Sequence, residues 1–430
     1  MKKIIIIIGI IFFTTNSFSS ESSTIDFSKA KKYKGDFHIP FKENPDLNTL
    51  RYYMFRYNSD TRRSRSPYSS RTIEPSSNPY KFEFDLTDYE FLNKELKRKG
   101  IVSYLYFEKG KVIIDKMSPK NRLGELIDNK TRLRSNSMGK SLVSIILGHA
   151  ICEGYIESVD SKINDWPLLK GSLYENHKLI DLLNMASGDQ KYVYDSFLLK
   201  NGKANRDKGY EVDNMSARFL GTQFRNKIAS KKRIYNYNNV NTNLILNYAL
   251  FKSKGNFDNL LNKIFQEKVR IKHPVFFFKK DGSDDVGNAD PMFYATRFDY
   301  LRIAKMMMDD YQNNTCFGKY LKEIYKRKIR KNLGNHDGMR GEPRYNRTFS
   351  YGGQFHLDWP GLKDKVVFAM GGRSGQAILV DMDSSRIIVL NSIHYNNDRF
   401  RFNEKKLLTN PIKLGKKTFE KKNKNIYEYL

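Results

Sequence analysis

The chain of 430 residues is poor in common metal ligands, with only two cysteines and seven histidines. None of them has the paired spacing of a metal site, so we predict no metal and no cofactor. Glycine-rich phosphate loops of the two common types and internal repeats are also missing. These absences argue against a zinc module, a nucleotide-binding loop and a repeat protein.

The two cysteines leave open whether a disulfide forms. Cys152 and Cys316 are able to pair in an oxidising compartment. Cys152 falls on a predicted buried helix, however, whereas Cys316 follows the polar residues 313–315. The sequence therefore favours two free thiols over a disulfide.

Long apolar runs are missing except at the N terminus, where residues 4–13 follow Met1-Lys2-Lys3. The basic start, the apolar run and the small residues after it predict a signal peptide over residues 1–20. The run is well short of the roughly 20 residues that span a bilayer as a helix. No cysteine follows it for lipid attachment. We therefore expect export, to the periplasm.

Acidic residues are scarce, with 47 Asp and Glu against 76 Lys and Arg and a net charge of +29. Such a balance is typical of proteins that bind nucleic acid. Here the lysines are scattered along the chain, so we predict no nucleic-acid partner. The local clusters at residues 62–66, 416–417 and 421–422 are expected to be solvated. Weak contact with anionic polymers of a cell envelope stays open, as does the oligomeric state.

The hydrophobic pattern changes along the chain. Residues 21–95 are polar without clear periodicity and predict an extended lead-in. A turn between residues 101–107 and 112–117 predicts a β-hairpin. From residue 137 to about 311 the pattern is mainly helical, and Thr296 with Asp299 predicts a helix cap. Short strand-like runs then follow at residues 348–357, 365–370, 376–380 and 386–392.

A hairpin before the helices and several strands after them predict an α+β fold. We expect one antiparallel sheet built from both chain ends and flanked by helices, with a large helical insert over about residues 150–345. The predicted divisions are the signal peptide (1–20), the lead-in (21–95), a globular domain (96–400) and a basic tail (401–430).

The strongest chemical signal is Ser137-Met138-Gly139-Lys140, which precedes the mainly apolar residues 142–151. Residues three apart share a helix face, so the amine of Lys140 is able to reach the hydroxyl of Ser137. A serine attacks only when a base takes its proton, and an amine is a base only when deprotonated. The plainer interpretation is a helix cap followed by a solvated lysine. The apolar helix favours the buried pair.

Two later motifs complete a possible site. Tyr237-Asn238-Asn239 precedes a helical run, and Arg373-Ser374-Gly375-Gln376 lies where a late strand begins. A phenol transfers protons, and a glycine lets substrate lie close to a strand. Taken singly, each motif also fits a core tyrosine, a helix cap or an ordinary turn.

In that order, Ser137-x-x-Lys140, Tyr237-x-Asn239 and Arg373-Ser374-Gly375 resemble the motifs of the serine β-lactamase and penicillin-binding-protein superfamily. The likeness is greatest to its class C-like branch, which includes esterases, D-amino-acid peptidases and hydrolases of small linear amides. It extends over about residues 95–395, including the flanking residues 153–167, 182–188 and 295–299.

The resemblance implies a β-lactamase-like fold and an exported hydrolase that cleaves a small ester or amide. Ser137 would be the acylated nucleophile, Lys140 its base and Tyr237 the acid/base for leaving group and water. The backbone N–H groups of Ser137 and Gln376 would form the oxyanion hole. The substrate-binding residues that it implies are Asn239, Arg373, Ser374, Gly375 and Gln376.

The third motif departs from the antibiotic-directed members, which usually begin it with lysine. Arg373 stays charged and binds carboxylates at two points, but it does not shuttle protons. This difference argues against turnover of β-lactams.

Three alternatives remain. Tyr235 offers a second register for the phenol, although Tyr237 has the expected spacing to Asn239. A catalytically inactive protein of the same fold, binding envelope polymers, is the alternative function. A Ser-His-Asp hydrolase is a weaker one, because residues 372–376 lack the closing glycine of a nucleophile elbow. The seven histidines are expected to be structural or solvated.

Overall fold

The computed structural model describes residues 26–33, 39–40, 42–57, 69–193, 199–200, 203–204, 224–279, 289–331, 348–394 and 398–420. The predicted signal peptide and the basic clusters at residues 62–66 and 421–422 lie outside the described residues.

A nine-stranded sheet forms the centre of the fold. Its strands along the chain are β2 (Glu83–Phe84), β3 (Ile101–Glu108), β4 (Lys111–Met117), β10 (Ile329–Arg330), β11 (Ser350–Gly352), β12 (Phe355–Leu357), β13 (Val367–Gly372), β14 (Gln376–Asp381) and β15 (Arg386–Ser392). Their order across the sheet is β10-β11-β12-β13-β14-β15-β3-β4-β2. The predicted hairpin (β3 and β4) pairs with the last strand, β15, in antiparallel register from Arg386 opposite Glu108. The sheet therefore joins both ends of the globular domain, as the sequence predicts. Only β2 is parallel to its neighbour, β4.

Helices cover both faces of this sheet, so its central strands β3, β14 and β15 are buried on both sides, whereas the edge strand β2 is exposed. Leu105 and Phe107 of β3 belong to the large core on one face, whereas Tyr104 and Tyr106 belong to the smaller core on the other. This alternation follows from the two-residue period of a strand. The α-helices of the described residues are α1 (Leu47–Tyr57), α2 (Glu90–Arg98), α3 (Met138–Cys152), α4 (Leu179–Leu183), α5 (Asn239–Lys252), α6 (Phe257–Asn262), α7 (Arg297–Gln312), α8 (Cys316–Lys326), α9 (Asn410–Leu414) and α10 (Lys417–Glu420).

Local helix signals behave as the sequence predicts. The Thr296 hydroxyl accepts a hydrogen bond from the backbone N–H of Asp299 at 3.1 Å, which caps α7. Within the described ranges, no helix combines the length and the apolar character that crossing a membrane requires.

A second, four-stranded sheet was not predicted. Its order is β1-β8-β9-β5, and two of its strands fall in the region predicted to be mainly helical. Phe276 and Phe277 in β8 are both buried, on opposite faces of the strand. A short apolar run without alternation does not distinguish a strand from a buried helix. The four strands are β1 (Ser69–Ile73), β5 (Arg132–Arg134), β8 (Val275–Lys279) and β9 (Ala289–Thr296), and a separate two-stranded pair joins β6 (Leu199–Lys200) to β7 (Lys203–Ala204).

The lead-in is not extended throughout, contrary to the prediction. It contains α1 and α2, and α1 buries Tyr53, Met54 and Tyr57 in the large core. The Tyr57 hydroxyl donates to the backbone carbonyl of Arg134, close to the start of α3. This segment therefore supports the domain rather than merely preceding it.

The described part of the basic tail also packs on the domain. Leu407, Leu408 and Ile412 are buried in the smaller core. Lys416, predicted to be solvated, pairs with Asp85 at 2.7 Å, and its backbone N–H donates to Glu108 at 2.7 Å. Residues 401–420 thus cover one face of the central sheet.

Cys152 and Cys316 form a disulfide, so the expectation of two free thiols is wrong. Their Cα atoms are 5.8 Å apart. Cys316 is the first residue of α8, which packs along α3, and Phe317 stacks on His149 with ring centroids 4.4 Å apart. The polar loop at residues 313–315 therefore ends beside the very helix that carries Cys152.

We expect this disulfide to stabilise the fold strongly, because it joins residues separated by 164 positions. The chain-entropy model gives about 5 kcal/mol for a loop of this length, and removal of native disulfides commonly costs about 2–5 kcal/mol. Urea unfolding measures the effect. Reductant should lower the midpoint of the wild type towards that of the Cys152→Ser/Cys316→Ser variant, and leave the variant unchanged. Equal midpoints for wild type and variant would contradict the prediction.

Candidate active site

Ser137 immediately precedes α3 and is half-buried. It occupies the N-cap position, but its side chain makes no capping hydrogen bond. Lys140, one turn later, is only 6% exposed. The plain interpretation of a capping serine with a solvated lysine is therefore wrong, since the hydroxyl does not cap and the amine is buried.

Lys140 connects the first two motifs. Its Nζ donates to Oδ1 of Asn239 at 2.6 Å and lies 4.9 Å from the centre of the Tyr237 ring. Asn239 is the first residue of α5, and Asn238, which the sequence left without a role, caps that helix by accepting from the backbone N–H of Asn241 at 3.0 Å. The start of α5 therefore faces the start of α3.

Tyr237 lies in a buried aromatic cluster and is 3% exposed. Its ring stacks on His356 at a centroid distance of 6.3 Å and meets Tyr351 edge to face at 6.1 Å. Tyr235 belongs to the same cluster, 5.1 Å from Tyr351. Burial raises the pKa of Tyr351 well above its usual value, so this neighbour stays neutral.

A second buried lysine contacts the same cluster. Lys331 is 3% exposed, and its Nζ bonds to Thr348 and, at 2.9 Å, to Nδ1 of His356. It also lies 5.8 Å from the centre of the Tyr351 ring. Sequence reasoning missed Lys331 and expected His356 to be structural or solvated, because neither belongs to a motif with recognisable spacing.

The third motif lies against the residues that precede Ser137. The side-chain amide of Asn136 donates to the backbone carbonyl of Arg373 at 2.7 Å. A Cβ atom on Gly372 would come within 2.6 Å of the Ser135 carbonyl oxygen, so only glycine allows this approach. Asn136, which has a positive φ of 48°, is a further residue that the motifs did not indicate. The end of β13 thus packs directly on the turn that carries Ser137.

The four predicted residues of the third motif have different surroundings. Arg373 is exposed, whereas Ser374, Gly375 and Gln376 are buried. The Gln376 side chain accepts from Asn391 at 3.0 Å, so it holds the sheet together rather than facing substrate. The group of Gln376 that remains for contact with a substrate is its backbone N–H.

A triad based on Ser374 does not fit the structure. Ser374 is fully buried, and its hydroxyl has no hydrogen-bond partner within the described ranges. The backbone N–H of His394 donates to the Ser374 carbonyl at 3.2 Å. Burial lowers the pKa of His394 to about 3, so its imidazole is neutral near pH 7. A hydroxyl that substrate does not reach is not a nucleophile.

No cluster of three or more His, Cys, Asp and Glu side chains suited to a metal ion occurs in the part of the chain that the structure describes. The polar groups at the site are amines, amides, a phenol and hydroxyls. They are able to take up, donate and relay protons and to orient a carbonyl compound.

No family model matches this sequence, and no curated protein does so either. Solved structures do match. A Bacillus anthracis protein assigned as a 6-aminohexanoate-dimer hydrolase has a TM-score of 0.60 and 13% identity, over 84% of this chain and 92% of that one. EstCE1, a hydrolase with promiscuous acyltransferase activity, has a TM-score of 0.50 and 12% identity, over 74% of this chain and 97% of that one.

Identity at this level establishes the fold and not the activity. The matched architecture is the predicted one, a mixed α+β structure with an antiparallel sheet between helices. The chain therefore has a β-lactamase-like fold, which it shares with these two hydrolases.

Proposed function

We propose that this protein is a serine hydrolase that cleaves a small ester or amide through a covalent acyl-Ser137 intermediate. The observation that carries the proposal is the buried Lys140, bonded to Asn239 and lying against Tyr237 one turn after a half-buried serine. Burying an amine costs free energy, and a catalytic role would account for that cost.

In acylation, Oγ of Ser137 attacks the substrate carbonyl carbon while neutral Lys140 takes the hydroxyl proton. Tyr237 gives its own proton to the leaving alcohol or amine, and the proton held by Lys140 then restores the phenol. Water repeats the sequence on the acyl-enzyme, releasing the acid and returning the proton to Oγ. The backbone N–H groups of Ser137 and Gln376 would stabilise the oxyanion, each typically by a factor of about 10²–10³.

Arg373 bears on the choice of substrate. Because the guanidinium is exposed and stays charged, it suits a substrate that carries a carboxylate and not a proton-transfer step. We propose esters or linear amides rather than β-lactams as substrates. The name of the Bacillus anthracis protein, which specifies a linear amide, supports the same choice.

Export to the periplasm is part of the proposal. The signal-peptide pattern supports it, and so does the disulfide between Cys152 and Cys316, because such bonds persist mainly in oxidising compartments.

The proposal is tested by intact-mass detection of an acyl adduct after exposure to short-chain nitrophenyl esters, linear amides and β-lactams. We expect an adduct from an ester or amide on the wild type and none on Ser137→Ala. Ser144→Ala is the matched control, because this serine lies on α3, the helix that Ser137 precedes, and bonds to Tyr320 instead. Wild-type turnover no faster than that of the Ser137→Ala variant would favour the alternative function, a catalytically inactive protein that binds envelope polymers.

A further inference from the structure

Asp189 is a fully buried carboxylate that no motif indicated. Its Oδ1 accepts from the side-chain amide of Asn236 at 2.9 Å. Its Oδ2 accepts from the Tyr174 hydroxyl at 2.9 Å and from the side-chain amide of Asn238 at 3.3 Å. Three donors from separate positions therefore converge on one side chain.

The surroundings of Asp189 are unusual for a buried acid. Within the described ranges it forms no ion pair, so neutral amides and a phenol compensate for its lost hydration. Burial raises the pKa of Asp189, and the bonds from Asn236 and Tyr174 oppose that shift. Burying a carboxylate is costly unless a cation pairs with it or hydrogen bonds satisfy its oxygens. A role beyond stability would account for it.

Two of the three donors stand on either side of Tyr237. In extended backbone, residues i−1 and i+1 project to one side and residue i to the other. Asn238 is extended, with φ −150° and ψ 169°. Asn236 and Asn238 bond to the same carboxylate, whereas the ring of Tyr237 between them meets Lys140, as this alternation predicts.

The bond between Asn238 and Asp189 also bears on Asn239, the hydrogen-bond partner of Lys140. Asn238 caps α5, whose first residue, Asn239, accepts the hydrogen bond from the Lys140 amine. Asp189 is thus linked through one residue to both groups that surround the amine.

We propose that Asp189 is a positioning residue, which fixes Asn236 and Asn238 and so aims the phenol of Tyr237 at the leaving group of a bound substrate. The inference rests on the proposed hydrolase function. It concerns proton delivery to the leaving group rather than attack by Ser137.

The test compares two acetate esters that share an acyl group and differ in the leaving group. Nitrophenolate departs with little help, whereas ethoxide needs a proton from Tyr237. In Asp189→Asn an NH₂ group replaces one acceptor oxygen and opposes a donor. We expect kcat/KM for ethyl acetate to fall by about tenfold more than kcat/KM for nitrophenyl acetate. Loss of folded protein alone would lower both equally.

Asp165→Asn is the control, because Asp165 also accepts from a tyrosine, Tyr248, at 2.9 Å and pairs with a lysine near the far end of α5. It differs from Asp189 in being exposed. In Asp165→Asn the ratio of kcat/KM for ethyl acetate to kcat/KM for nitrophenyl acetate should equal the wild-type ratio. If Asp189→Asn fails to fold, Asn238→Ser serves instead. Serine still caps α5 but lacks the amide that bonds to Asp189 at 3.3 Å and to the Asn236 carbonyl at 2.8 Å.

The outcomes separate the two proposals. If folded Asp189→Asn keeps the wild-type ratio of the two kcat/KM values, Asp189 does not have the proposed role. The hydrolase proposal is then unaffected. Absence of Ser137-dependent turnover in the wild type overturns both.

Discussion

Replacing Lys140 with methionine should lower kcat/KM for an ester substrate by about 10³-fold, within the range of about 10²–10⁴ for general acid–base groups. Methionine retains an unbranched side chain in the same buried position and removes only the amine. The Ser137 hydroxyl then has no base to take its proton, so acylation itself slows. Steady-state rates with a nitrophenyl ester and the rate of adduct formation by intact mass both measure this step.

The control for Lys140→Met is Lys305→Met. Lys305 is also mostly buried, lies 4.4 Å from the centre of the Tyr80 ring and pairs with Asp309 on α7. It therefore loses the same kinds of contact without touching the site, and its rates should match the wild type. If Lys140→Met keeps most of its activity while Ser137→Ala is inactive, another group is the base.

The elements that the sequence predicts well are those whose signals are local. The hairpin of β3 and β4, the strands β14 and β15 and the cap at Thr296 all fall where pattern and turn residues place them. Each depends on residues a few positions apart, so tertiary contacts have little to override.

The errors occur where distant segments decide the structure. Phe276 and Phe277 become a strand because β1 and β9 pair with them, and nothing in the local sequence indicates that pairing. The disulfide likewise depends on α8 packing along α3, which brings Cys316 beside Cys152. The buried side chains of α1 show that a polar segment with weak periodicity is still able to supply core residues.

The candidate site also contains residues with a local sequence signal and residues without one. The three motifs were identifiable because each has a short internal spacing, and the structure brings Lys140, Tyr237 and Asn239 into contact. It also places Arg373 against the turn of Ser137 through Asn136. Three further residues surround the phenol or its loop from separate parts of the chain, namely Lys331, His356 and Asp189. A single residue that belongs to no spaced motif gives no sequence signal.

Replacing Tyr237 with phenylalanine tests which phenol acts. The variant keeps the ring that stacks on His356 and meets Tyr351, and it removes only the hydroxyl. Because the leaving group then lacks its proton donor, we expect kcat/KM for an alkyl ester or amide to fall by about 10²–10⁴-fold. Thermal unfolding should change little, since the packing of the cluster is retained.

Tyr235→Phe is the decisive comparison, because Tyr235 lies two residues away in the same cluster and is 6% exposed. Its ring is 6.3 Å from that of Tyr237, but the Lys140 amine lies over the ring of Tyr237. Tyr235→Phe should therefore keep nearly wild-type rates. The reverse order of effects would assign the acid/base role to Tyr235, and two nearly active variants would remove the phenol from the mechanism and leave proton transfer to Lys140 alone.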